Sequence, residues 1–181
     1  MRKIRQIALL VVCVLCMWCG SALAYTPVQF DDTHSLSDIL ERYNDYRRRV
    51  DSDGDTFKYL LPTSFIKYNE SYMPYTTAYI TQNSLTGIGV VFCINGNGRV
   101  ASFTAIVPET YSASDAVVVA SRIVRAMDDG HAWENVMTCC AKALQSDEMQ
   151  VMWHPVTKRY YVFFGRKSEG TYQIMAFAAQ D

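Results

Sequence analysis

The sequence predicts an α+β fold, a mainly antiparallel sheet with helices packed on its faces. Three observations carry this expectation. Two segments with helical periodicity begin at Ser35-Leu36-Ser37-Asp38 and Ser112-Ala113-Ser114-Asp115, where a serine and an acid three residues on can satisfy the first orphan amides of a helix. The β-branched and aromatic runs Gly87 to Ile94 and Arg99 to Val107 flank Asn95-Gly96-Asn97-Gly98, and Asn-Gly tolerates the positive backbone angles of a tight hairpin turn. Three more apolar runs near the C-terminus are joined by links of hairpin length. Hairpins give antiparallel neighbours, and helices set apart from the strands in sequence cover the faces of the sheet.

Residues 1–24 are read separately, as a cleaved signal peptide. Arg2, Lys3 and Arg5 are followed by an apolar run from Ile7 to Trp18 and by the small-residue site Ala22-Leu23-Ala24, the order of a secretory leader. The run is shorter than the roughly 20 residues a spanning helix needs, and no later segment is longer. The expected address is secreted or periplasmic, with no membrane span once the signal is removed. Lipoprotein anchoring at Cys19 is disfavoured, because bulky Trp18 precedes it where a lipoprotein peptidase wants small side chains. Three of the chain's 17 basic residues leave with the leader, against 18 acidic residues overall. The weakly acidic remainder is a poor match for nucleic acid. Residues 25–34 read as an irregular lead-in, and 35–181 as a single domain large enough to bury a core.

The first helix is expected over 36–50, with Leu36, Ile39, Leu40, Tyr43, Tyr46 and Val50 on one face and Glu41, Arg42, Asn44, Asp45, Arg47 and Arg48 on the other. Asp51-Ser52-Asp53-Gly54-Asp55 ends it as a turn. Aromatic runs broken by Pro62 and Pro74 predict strands near 64–69 and 75–82. The hairpin at 87–107 makes four strands. A second helix starts at Ser112, its apolar face made of Ala116, Val117, Ala120, Ile123, Val124 and Met127, with Ser121, Arg122 and Arg125 outward. After Asp128-Asp129-Gly130 a third helix covers about 132–144. A three-strand meander closes the chain at 149–153, 159–165 and 171–178, and Tyr160 to Phe164, apolar on both faces, reads as a central strand covered on both sides. The order is thus helix, four strands, two helices, three strands. From about Gly87 to Ala178 this layout resembles PAS, Cache and profilin-like domains, an alternative core. The likeness is of topology, with no motif residues behind it, and implies no activity by itself.

Export makes Cys93, Cys139 and Cys140 disulfide candidates. Cys140 falls within the apolar stripe of the third helix and Cys139 near its edge. A helix laid on the strand of Cys93 would bring Cys140 to it, so Cys93–Cys140 is the expected bridge. The competing account makes both small buried hydrophobes.

Signals for catalysis are weak. Asp51, Asp53 and Asp55 alternate, but Thr56 and Pro62 occupy the positions where an EF-hand loop needs glycine and glutamate. Asp31-Asp32-Thr33-His34 and Asp128-Asp129-Gly130-His131 pair carboxylates with imidazole, yet each precedes a helix, where negative charge suits the dipole. His154 reads as a turn residue. No G-x-S-x-G elbow or S-x-x-K set occurs, and Cys139 lies about 12 Å of helical rise from His131. No catalytic residue, metal ligand or cofactor is assigned.

Aromatic content stands above background, with twelve Tyr and eight Phe. Tyr72 and Tyr75, flanking the turn between the first two strands, are the candidate binding residues, since tyrosine combines an apolar ring with a hydroxyl at low entropic cost. The competing account is that tyrosine suits half-buried strands. The expectation is an exported, non-catalytic domain that binds an unidentified ligand or protein partner. The alternatives are a hydrolase with a dispersed active site and a self-associating structural envelope protein.

Overall fold

One antiparallel sheet of eight strands carries the helices on one of its two faces. The computed structural model describes residues 26–30, 34–50, 56–68, 76–128 and 133–180. Its elements are β1 (Thr26–Val28), α1 (Leu36–Val50), the single turn α2 (Thr56–Tyr59), β2 (Ile66–Tyr68), β3 (Thr76–Gln82), β4 (Gly89–Asn95), β5 (Val100–Pro108), α3 (Ala113–Met127), α4 (Trp133–Ser146), β6 (Gln150–His154), β7 (Arg159–Ser168) and β8 (Thr171–Gln180). The sheet order is β2-β3-β4-β5-β8-β7-β6, with β1 paired to β8. The predicted α+β class and antiparallel sheet are therefore present. Among the described residues no helix is long and apolar enough to cross a membrane.

Local chemistry sets the helix starts. Ser35 and Asp38 cap α1 reciprocally: the Ser35 amide donates to Asp38 Oδ2 at 2.9 Å, and the Asp38 amide donates to Ser35 Oγ at 3.2 Å. Ser112 and Asp115 repeat the arrangement at α3. In the β4–β5 turn, Asn95 Oδ1 accepts from the amides of Asn97 and Arg99, both at 3.0 Å. The left-handed residue there is Gly98, with φ +75°. Between β7 and β8 the strands run further than the sequence suggests, up to a two-residue turn of Glu169 and Gly170 with φ +49° and +74°. Two consecutive positive angles match the right-handed twist of the strands they join.

Strand period divides the sheet cleanly. Val90, Ala105, Ile174 and Gly165 lie in register on one face, as do Phe92, Phe103, Ala176 and Phe163. That face is the inside. A Cβ added at Gly165 would sit 2.5 Å from the Leu144 amide nitrogen and 2.6 Å from the Ala143 carbonyl carbon, so α4 rests on β7 at a distance only glycine permits. The helices pack on the sheet as expected: α3 lies on β5 and β8, α4 on β6, β7 and β8, and α1 on α3. Because α1 covers that flank of α3, Ser121 is fully buried, and Arg122 and Arg125 lie against the Tyr46 ring, instead of pointing outward. Asn44 on α1 is buried for the same kind of reason, bonding the Leu61 carbonyl at 2.7 Å and the Leu61 amide at 3.0 Å.

Two further expectations change. The lead-in is not wholly irregular: β1 pairs with Ala178–Gln180, and Phe30 plugs the core against Phe103 and Tyr161 at ring distances of 5.8 and 5.1 Å. Arg159 holds the carbonyls of Gln29 and Phe30 from the opposite strand end. β7 is buried over residues 161–164 as expected, but it lies one strand in from the edge instead of at the centre, which β5 occupies.

Gly165→Ala is expected to cost about 1–3 kcal/mol, since the clash is with helix backbone that cannot rotate away. Urea unfolding checks this, and an unchanged midpoint would mean that α4 does not lie this close to β7.

Candidate functional site

The residues singled out from the sequence fall in three places. Tyr72 and Tyr75 lie outside the described residues, as do Asp51, Asp53 and Asp55, Asp31 and Asp32, and Asp129 and His131. No disulfide joins Cys93, Cys139 and Cys140. The expected Cys93–Cys140 bridge is absent because strand parity puts the two on opposite sides of the sheet. Phe92 faces the helices, so Cys93 faces away, packed with Val91 and Ile106, while Cys140 is buried in the core under α4. Burial also pushes the thiols of Cys139 and Cys140 up, Cys140 far more, so neither is a ready thiolate.

Asp128 and His154 do meet, which the sequence did not reveal. Asp128 closes α3, its amide donating to the Val124 carbonyl at 2.9 Å. Its Oδ2 is 3.4 Å from Nε2 of His154, the last residue of β6, and both side chains are sealed from solvent. The Thr157 amide donates to Nδ1 at 3.1 Å, and the Thr157 hydroxyl lies 3.0 Å from the same nitrogen. The backbone donor makes Nδ1 the acceptor, which leaves the proton on Nε2, facing the carboxylate. The Tyr161 ring stacks on the imidazole at 4.8 Å.

Acid, imidazole and hydroxyl in line resemble a nucleophilic relay. The Nδ1 lone pair is already engaged by a backbone amide of the same hairpin turn, however, and the ring is fully covered. We therefore assign the group to structure: it pins the β6–β7 turn to the C-terminus of α3.

A second polar cluster sits at the N-terminus of α3. Tyr59 donates its hydroxyl to Asp115 Oδ1, and Lys58 Nζ lies 3.1 Å from the same oxygen and 4.8 Å from the centre of the Tyr111 ring. The Ser112 hydroxyl and amide donate to Oδ2 at 2.8 and 2.7 Å. Burial works against the charged carboxylate, but these donors outweigh it and hold Asp115 at about 2. The phenol of Tyr59 is pushed up, by burial first and then by the carboxylate it serves. Every group here is spent on capping α3 and tying α2 to it.

The sheet face turned away from the helices is different. Ile66, Ile80, Val91, Thr104, Met175 and Phe164 form one row in register across six strands. Beside it, Tyr68, Ala78, Cys93, Ser102, Phe177, Val162 and Val151 cross seven. Val91, Thr104 and Phe164 of the first row and Cys93, Phe177 and Val162 of the second are buried. One end of each row is exposed: Ile66 at β2 in the first, and Val151, with its neighbours Met149 and Trp153, at β6 in the second. Alternation on β6 was a usable signal, since Met149, Val151 and Trp153 share a parity, but which parity faces water depends on where α4 lands.

Among the described residues, no group of three or more His, Cys, Asp or Glu could hold a metal ion. No family model matches the chain, and no curated protein and no solved structure matches it. The PAS, Cache and profilin-like layout accordingly stays a likeness of chain order alone.

His154→Ala should cost about 2–4 kcal/mol by stranding Asp128 and opening a gap against Tyr161; unfolding at the wild-type midpoint would remove the pin role. Asp115 has a folded-state pKa below its unfolded value, so its contribution is present above about pH 4 and fades as pH falls through about 2. Asp115→Asn is expected to cost roughly 1–3 kcal/mol at neutral pH, and the gap from wild type should close below about pH 2. A gap independent of pH would contradict the charged role.

Proposed function

We propose that this chain is an exported, non-catalytic module that binds a protein partner on the apolar outer face of its sheet. The observation that carries the reading is the pair of exposed apolar side chains Val151 and Trp153, which project from β6 on the face opposite the helices. A half-exposed tryptophan leaning on Tyr160 at 4.9 Å is the kind of rigid aromatic anchor that dominates binding energy at protein interfaces. Side chains standing out from an edge strand suit a protein better than a small molecule, which wants a concave pocket. Tyr72 and Tyr75, in the stretch of sequence between β2 and β3, stay candidate binding residues of the proposal.

Export is supported by the basic, apolar and small-residue order of the first 24 residues. The non-catalytic part is supported by the use to which the polar clusters are put: His154 is sealed, and Asp115, Lys58 and Tyr59 saturate one another. The hydrolase reading has no such observation behind it.

A photo-crosslinker at position 153 should give a discrete protein adduct in the native envelope, while one at Glu134, exposed on α4, should not. Equal labelling from both positions would refute the face assignment. Mass spectrometry of the natural protein should find Tyr25 at its amino terminus, and a chain that retains Met1 would refute export.

A further inference from the structure

The two edges of the sheet are built differently. β2 is three residues long and carries exposed Lys67, the ordinary means of keeping a strand edge from recruiting another chain. β6 reads Gln-Val-Met-Trp-His, with no charge, no proline, no bulge and no left-handed residue within it. Among the described residues it pairs with β7 alone. Two of its five side chains, Val151 at 37% and Trp153 at 50%, are exposed on the outer face. An edge of this kind is a template for strand addition.

We propose that β6 is a seam at which two copies of this chain join, antiparallel and about a twofold axis at Met152, so that the two sheets become one. The proposal rests on Val151 and Trp153 being a binding surface and names a second copy, paired along the β6 edge, as the partner. Self-complementarity is the argument. Antiparallel pairing about Met152 sets Val151 against Trp153 of the second copy, and Trp153 against its Val151, so a bulky side chain meets a small one at both positions. The same register brings exposed Asp147 and Glu148, just before β6, alongside the turn of the second copy that carries exposed Lys158. Opposite charges then flank the apolar centre at both ends. Parity keeps the outer-face rows continuous across the seam, with Val162 and Tyr160 of each copy next in line. Pro155 limits the pairing to the five residues of β6. So short a seam buries less than the roughly 1,200 Å² of a stable complex, so the association is weak and concentration-dependent.

Sedimentation equilibrium of the purified protein over roughly 1 to 300 µM should show a monomer–dimer equilibrium. Val151→Lys and Trp153→Lys should each weaken it at least about tenfold while leaving the melting temperature of the monomer in place, since both side chains are partly in water. A second readout does not depend on those variants folding: mixed Val151→Cys and Trp153→Cys proteins should oxidise to a cross-linked heterodimer faster than either variant does with itself. A monomer throughout the range, a dimer indifferent to both lysines, or equal cross-linking rates in the mixed and unmixed samples would overturn the proposal. A monomer whose position 153 still captures a different protein would overturn the second-copy assignment while leaving the binding face standing; failure of both would remove the two together.

Discussion

The backbone contact between α4 and β7 at Gly165 decides which side of the sheet is the inside. Once the helix rests there, the two-residue period of every strand sorts its side chains without further choice. Phe92, Phe103 and Phe163 go to the helices, and Val91, Cys93, Phe177 and Val151 go to the other face. A slip of one residue in any strand would exchange the two sets. The large apolar load on both faces of β4, β7 and β8 therefore follows from one close approach and one parity.

The polar groups of the interior serve that arrangement. Asp115 at one end of α3 holds Lys58 and Tyr59, and Asp128 at the other end holds His154. Together they fix α3 lengthwise over the sheet, one end tied to the α2 turn and the other to the β6–β7 turn. Asp128 and His154 are sealed from solvent while Lys58 and Asp115 are part-exposed, so desolvation offsets more of the attraction at the first pair than at the second. With imidazole and carboxylates committed to holding the helical layer, the face away from it is itself largely buried, and Ile66, Val151 and Trp153 are its exposed large apolar side chains.

What could be read from sequence was whatever is encoded locally. The Ser35–Asp38 and Ser112–Asp115 boxes, the α1 and α3 stripes, the β4–β5 hairpin and the closing meander each depend on residues a few positions apart, and each is present within a residue or three of its expected bounds. β1 escaped because three residues show no period, and α2 because one turn shows none. Asn44, Ser121 and Arg125 looked solvent-facing on their own helices and are covered by another element. Asp128 seemed to belong with His131 by proximity in the chain, yet the tertiary fold pairs it with His154. The supposed cysteine bridge failed for the same reason: periodicity told which face of α4 carries Cys140, but not that the helix would lie on β6, β7 and β8, on the face of the sheet opposite Cys93.

The sidedness of the sheet is thus the claim on which the binding surface and the seam both stand, and the cysteines report on it directly. The natural protein should be unfolded in the presence of an alkylating reagent, without reductant, and mapped by mass spectrometry. The account predicts Cys93 and Cys140 on separate peptides, each carrying the reagent. A disulfide-linked peptide joining them would place α4 on the face of the sheet that carries Cys93 and contradict the account.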